Sequence, residues 1–371
     1  MTLAGLLGLL LMSEAGGSAL PPPLALLGAE IPQGEERQLS LYVSESFAGY
    51  SLRTPVLVTT GAQPGPTLCL TAGIHGDELN GTEVVRRVFE RVEAAELKGA
   101  LVGVPIVNLH GFRRTSRYLP DRRDLNRFFP GNAAGSSASR IAHAVFERIV
   151  RHCDALVDLH TGSFHRTNLP QLRGDLTRPE VFELARGFAS GTVVQSLGRP
   201  GTLRRAATEA GIPAITYEAG EPMRFQDDEV ERGVLGIQRL VAALGMSEAP
   251  APPEEHQRVY YRSRWVRVDE GGILISRVEL GEEVSAGDVL GTVTDPISNE
   301  RTIVFSPHDG RLIGMALNQV VIPGFAAFHV GLDQDAPSLL PGEEPEDPEG
   351  GGPGVLGDPV DELEAIDEIP E

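Results

Sequence analysis

The chain has 371 residues, is 41% hydrophobic and 23% charged, and carries a formal charge of −20. That is long enough for two or three domains with a full hydrophobic core, and the composition excludes collagen-like, wholly disordered and polytopic membrane chains. Twelve of the acidic residues lie in 342–371, which has no Lys or Arg; an acidic body of this kind is not expected to bind nucleic acid, which needs cations to neutralise phosphates.

Residues 1–25 read as a disordered leader closed by Pro21-Pro22-Pro23. The apolar run Leu3 to Met12 has the length of a secretory core segment, but the first basic residue is Arg37, so the positive n-region is missing. The run is also too short to span a bilayer. A cytoplasmic protein without membrane contact is expected. Pro55 to Thr60 and Thr67 to Ala72 read as strands around a Gly/Pro turn at 61–66, the second continuously apolar and so buried on both faces. A helix follows, with Val84, Val85, Val88, Phe89 and Val92 at helical spacing. Further strands are expected at 100–107, 155–159 and 214–217, with a helix at 141–149. This alternation predicts an α/β domain over 26–247. Glu248 to Glu255 is a Pro/Ala/Glu linker. Residues 256–333 show short strands with Gly at the turns and no helical period, as a small all-β domain does. The acidic tail 341–371 is expected to be disordered, with one weak helical stripe at Val360, Leu363, Ile366 and Ile369. Cys69 and Cys153 sit in apolar runs and read as buried free thiols.

Four places carry chemistry. His75-Gly76-Asp77-Glu78 follows a strand and enters a helix, and His-x-x-Glu lets an imidazole and a carboxylate reach one cation. His160 closes the strand Ala155 to Leu159, where open α/β sheets build their sites. Asp158 lies two residues earlier on the same strand face, placed to orient an imidazole. His110 and His165 are loop alternatives for a third ligand. Six Arg fall between positions 113 and 127 in an otherwise acidic protein, which suits a solvated loop or the recognition of a carboxylate by planar guanidinium forks. Glu218 ends the strand 214–217, where a general base could sit.

Together these segments resemble the succinylglutamate desuccinylase/aspartoacylase family, a branch of the zinc-carboxypeptidase-like metallohydrolases. The resemblance covers about residues 26–330. It rests on Ala72 to Gly81, Asp124-Leu125-Asn126-Arg127, Asp158-Leu159-His160 and Tyr217-Glu218-Ala219-Gly220. It implies a mixed sheet flanked by helices and one zinc ion held by His75, Glu78 and His160. It also implies Glu218 as general base and then acid, and Arg117 polarising the scissile carbonyl, with Arg113 or Arg114 as alternatives. Asn126 and Arg127 would hold the α-carboxylate. The implied activity is hydrolysis of the amide of a small anionic N-acyl amino acid, in a chain that could form homo-oligomers. A zinc carboxypeptidase acting on peptides and a non-catalytic binding module are the alternatives. Gly271 to Gly291 with Ser306 to Gly310 resembles a biotinyl/lipoyl-type hammerhead. Its hairpin Pro296 to Arg301 has no Lys to carry a cofactor, so a barrel that rims or lids the zinc site is expected.

Overall fold

The computed structural model describes residues 23–45, 51–249, 251–253 and 256–332. All but the last three residues of the expected leader, and the whole acidic tail with its helical stripe, lie outside the described residues. Leu24–Leu26 already forms a strand, so the folded body begins slightly before the expected boundary.

In chain order the first half runs β1 (Leu24–Leu26), β2 (Ala29–Ile31), β3 (Glu36–Glu45), β4 (Ser51–Thr60), β5 (Gln63–Ala72), α1 (Asn80–Arg91), β6 (Lys98–Val104), α2 (Leu109–Phe112), α3 (Ser137–Arg148) and β7 (Ala155–His160). Next come β8 (Arg166–Gly174), α4 (Pro179–Phe188), β9 (Thr192–Gln195), α5 (Leu203–Glu209), β10 (Ala214–Gly220) and α6 (Asp227–Ala243). Among the described residues after α6 the only regular elements are strands: β11 (Arg258–Tyr260), β12 (Ser263–Arg267), β13 (Gly272–Ser276), β14 (Glu283–Val284), β15 (Val289–Thr294), β16 (Arg301–Phe305), β17 (Gly310–Ala316), β18 (Gln319–Val321) and β19 (Ala326–Leu332).

The large sheet has the order β12-β19-β17-β8-β10-β7-β5-β6-β4-β3. Its centre, β10-β7-β5-β6, is parallel, and antiparallel strands flank it on both sides. Alternate side chains of the central strands enter two separate cores. Cys69, Leu156 and Ala214 face the cluster under α3 and α5. Leu68, Leu70, Val157 and Ile215 face the cluster under α1, α4 and α6. Burial on both faces explains why these strands read as unbroken apolar runs. The Gly/Pro turn at 61–66 is shorter than expected, because Gln63 already pairs with Lys98 before a bulge leads into Thr67↔Ala100.

One expectation is corrected. Cys69 and Cys153 form a disulfide instead of remaining free thiols, with Cα atoms 5.8 Å apart and 84 residues between them in the chain. Both belong to the same core cluster, a proximity that only the closed sheet creates. The all-β segment contributes to two sheets. Only β16-β15-β13-β18 forms a sheet of its own, whereas β17 pairs with β8 and β11 pairs with β9, so the segment extends the large sheet. The open edge of β8 accepts β17 because its backbone groups would otherwise go unpaired. Among the described residues no helix is long and apolar enough to cross a membrane.

Candidate active site

The carboxyl ends of β5, β7 and β10 converge. In the parallel ladders Ala72 lies beside Leu159, and Glu218 lies directly beside His160. The chain leaves β5 through Gly73, whose φ of +61° a side chain would disfavour. It then passes so close to α2 that a Cβ on Gly76 would stand 2.0 Å from the Gly111 carbonyl carbon. That approach turns His75 and Glu78 back over the strand ends. Gly76→Ala is expected to displace this loop and to lower thermal stability by about 1–3 kcal/mol, the range for overpacking. Thermal melting together with metal content checks this; an unchanged melt with full metal binding would show that the loop tolerates the methyl.

His75, Glu78 and His160 are all buried, and their donor atoms lie within 4.8 Å of one another. Glu78 Oε1 is 2.8 Å from His75 Nδ1, and Oε2 is 2.9 Å from His160 Nδ1. The far ring nitrogens meet carboxylates: His75 Nε2 lies 3.1 Å from Asp124 Oδ1, and His160 Nε2 lies 2.8 Å from Asp158 Oδ2. Asp158 is itself held by Thr71 Oγ1, which donates at 2.7 Å. A carboxylate on each Nε2 takes the N–H of that nitrogen, so that Nδ1 is the one each ring would offer to a cation on losing its proton. Two Nδ1 atoms and one carboxylate facing a common point are the N/O donor set that a divalent ion such as zinc accepts. Among the described residues this is the one such cluster, and His110 and His165 are outside it.

The charges are interlocked. Burial pushes Glu78 up, but His75 and His160 hold its carboxyl well below the usual carboxylate range. Burial pushes His160 down, and Asp158 and Glu78 reverse this, leaving it well above an ordinary histidine. For His75, burial and Arg117 push down, and Glu78 and Asp124 outweigh them.

The Arg-rich loop divides. Arg113, Arg114 and Arg122 are exposed, and Arg123 pairs with Asp121. Arg117 is buried in the site: Nη1 donates to Glu78 Oε1 at 3.1 Å and to Ser163 Oγ at 2.6 Å, and Nη2 donates to Asp124 Oδ2 at 2.9 Å. Its Nε is buried with no hydrogen-bond partner among the described residues. Asn126 is buried and lines the cavity, and its Oδ1 accepts from Leu203 N at 2.8 Å. Arg127 does not line that cavity; its Nη1 donates to Asn126 O at 2.8 Å, and Nη2 lies 3.8 Å from Asp124 Oδ2. Glu218 Oε2 accepts from Asn168 Nδ2 at 2.8 Å, and Arg173 Nη1 stands 3.9 Å from Oε1.

The wall of the cavity between these groups includes His75, His160, Glu218, Arg166, Arg204 and Trp265. Sequence reasoning passed over Asp124 as the partner of His75, and Arg166, Asn168, Arg173, Arg204 and Trp265 as lining. One signal was available: Arg166 and Asn168 alternate along β8, so both face one side. Trp265 belongs to the C-terminal segment and reaches the cavity only because β12 joins the large sheet.

Fold and site together define a mixed-sheet α/β protein with a buried two-histidine, one-glutamate cluster at the strand ends. The family described as the succinylglutamate desuccinylase/aspartoacylase catalytic domain matches residues 64–244. The N-alpha-acetyl-L-2,4-diaminobutyric acid deacetylase of Halomonas elongata is 25% identical over 76% of this chain and 87% of its own length. A succinylglutamate desuccinylase of Pseudomonas aeruginosa is 29% identical over 48% of this chain, which spans 57% of that relative. The fold is shared with a succinylglutamate desuccinylase/aspartoacylase from Rhodobacter sphaeroides, at 23% identity and a TM-score of 0.73 over 81% of this chain and 98% of the other. It is also shared with the product-bound ectoine utilization protein EutE (DoeB) from Ruegeria pomeroyi, at 23% identity and a TM-score of 0.74 over 81% of this chain and 97% of the other.

Proposed function

We propose that the protein is a zinc-dependent hydrolase that cleaves the amide bond of an N-acyl amino acid. The observation that carries this reading is the buried His75/Glu78/His160 cluster with Glu218 on the adjacent strand. The deacetylase and desuccinylase names of its relatives agree with it. His75, Glu78 and His160 would hold one zinc ion, which when bound supplies a Lewis acid for the amide carbonyl and acidifies water. Glu218 accepts the proton of the attacking water and delivers it to the leaving amine. Asn168 holds one Glu218 oxygen in place, leaving the carboxylate oriented for that exchange. Arg117 presents its unpartnered Nε as a donor for the oxyanion that develops on the carbonyl. Such a donor is typically worth about 3–4 kcal/mol. Burial works against the Arg117 charge, and Asp124 and Glu78 overcome it, so the guanidinium stays protonated. We read the C-terminal β-segment as part of the wall of this site, with Trp265 its contribution, and not as a cofactor carrier.

Asn126 is assigned to the α-carboxylate of the amino-acid part from the cavity wall, and Arg127, half-buried behind it with Nη1 on the Asn126 carbonyl, is assigned to the same group through its positive charge. Arg127→Ala is expected to raise KM for free N-acyl amino acids by the equivalent of about 2–5 kcal/mol, and far less for the corresponding amides. Measuring kcat/KM for acid and amide on both proteins checks this; an equal loss for the two would remove Arg127 from the clamp. The function itself is tested by incubating zinc-loaded protein with N-succinyl, N-acetyl and N-formyl amino acids and detecting free amine. Absence of amine release across the panel would overturn the deacylase reading.

A further inference from the structure

Among the described residues twelve large apolar side chains are exposed, and six of them share one surface. They are Ile273 and Ile275 of β13, Val289 of β15, Ile303 and Phe305 of β16, and Val320 of β18, between 40% and 74% exposed. The strand register makes them neighbours. Ile273 stands beside Val320 and Thr294, Ile275 beside Thr292, Thr292 beside Ile303, and Val289 beside Phe305. All lie on the outward face of β16-β15-β13-β18, because the residues between them, Leu274, Leu290, Val293, Val304 and Val321, fill the core behind it. Four strands at the usual spacing give a face about 20 Å across.

These four strands contain no Asp or Glu, in a chain that has 52. Their one charged residue, Arg301, is exposed and paired in register with Thr294 on the same face. Arg277, directly after β13, is exposed as well, and neither guanidinium has a carboxylate partner among the described residues. A contiguous apolar patch with charged residues at its rim marks a contact surface. Two copies set face to face would bring like charges together, and these strands supply no carboxylate to offset them. The charge pattern therefore calls for an occupant that is both apolar and acidic.

The chain carries such a segment. Past Leu332, where β19 ends, it continues to Glu371. Residues 358–369 hold six acidic residues and no Lys or Arg, and Val360, Leu363, Ile366 and Ile369 recur at every third position. Asp358-Pro359 is a helix-start signal, and a helix over 359–369 is about 17 Å long, which matches the face. The connecting residues 333–359 can span up to about 90 Å. Because β19 shares one core with the four-stranded sheet, its outward face is well within that reach. Tethering raises the effective concentration to about the millimolar range, so that a contact with a Kd of only about 1 mM is half-occupied.

We propose that residues 358–369 dock in cis on the outward face of β16-β15-β13-β18, with the apolar stripe over Ile273, Ile275 and Ile303 and the carboxylates beside Arg277 and Arg301. This does not depend on the deacylase reading above.

The test attaches a nitroxide to the full chain at Glu371→Cys. The two natural cysteines are joined in a buried disulfide, so the label goes to one site. Isoleucine methyl NMR signals are compared with the nitroxide oxidised and reduced. The Ile273, Ile275 and Ile303 signals are expected to lose about half their intensity or more, while Ile141 and Ile237, in the two cores of the large sheet, keep theirs. Leu363→Asp with Ile366→Asp in the labelled chain is expected to restore the signals, and Arg277→Glu with Arg301→Glu to restore much of the loss. No loss in the parent chain, or an unchanged loss in either double variant, overturns the proposal. A mixture of isotope-labelled chain without nitroxide and unlabelled chain carrying it separates the two ways of docking. Signals that stay intact in the mixture sustain docking in cis. A loss there equal to that in the single labelled chain means that the face is covered by a second copy, and overturns it.

Discussion

Glu218→Gln is expected to keep the fold and the metal while lowering kcat about a thousandfold or more, within the range for loss of a general base. The substitution is nearly isosteric. Asn168 Nδ2, which donates to Glu218 Oε2 at 2.8 Å, can donate equally to the Gln carbonyl oxygen. The β10 ladder beside His160 is unaffected, because it runs through the backbone. What disappears is the capacity to accept a proton, since an amide is no base at neutral pH. KM should move little, because Glu218 is assigned to proton transfer and not to holding the substrate. The check is kcat and KM beside metal content and a thermal melt for the same preparation. Turnover near wild type, with metal bound, would take Glu218 out of the mechanism.

His160→Ala is expected to reduce bound zinc from about one per chain to a small fraction, and amidase activity with it. It removes one of three donors and leaves Asp158 facing a void, although Thr71 still donates to that carboxylate at 2.7 Å. Asp158→Asn provides a graded companion. It keeps the donor but loosens the ring, and is expected to weaken zinc affinity about 10–100-fold. His110→Ala and His165→Ala should bind zinc normally, as neither residue joins the cluster. Zinc analysis of the four dialysed proteins distinguishes these cases. Full occupancy in His160→Ala would mean that the third ligand lies elsewhere.

Much of the central architecture was legible in the chain itself. The runs at 67–72, 155–159 and 214–217 are apolar on both faces, and only a strand covered by helices on two sides accommodates that. The helix over 80–91 follows from the spacing of Val84, Val85 and Val88, all of which are buried. His75, Glu78, His160 and Glu218 stood out because each lies at or just beyond the end of such a run, and strand ends in a parallel sheet necessarily gather on one side.

What the chain by itself determined is therefore local: periodicity, the glycine hinge at Gly73 and Gly76, and the residue types at strand ends. Tertiary structure alone decided the rest. It brought Cys69 to Cys153 across 84 residues, a closeness that no spacing encodes. It buried Arg117, out of the six arginines between 113 and 127, beside Glu78 and Asp124, and that burial depends on how the loop folds over the sheet. It also placed Trp265 and Arg166 in one cavity by adding β17 to the edge of β8 and β12 beyond it. Pairing between distant strands depends on which edges remain open once the central sheet has formed, and that condition belongs to the assembled sheet and to no single segment of the sequence.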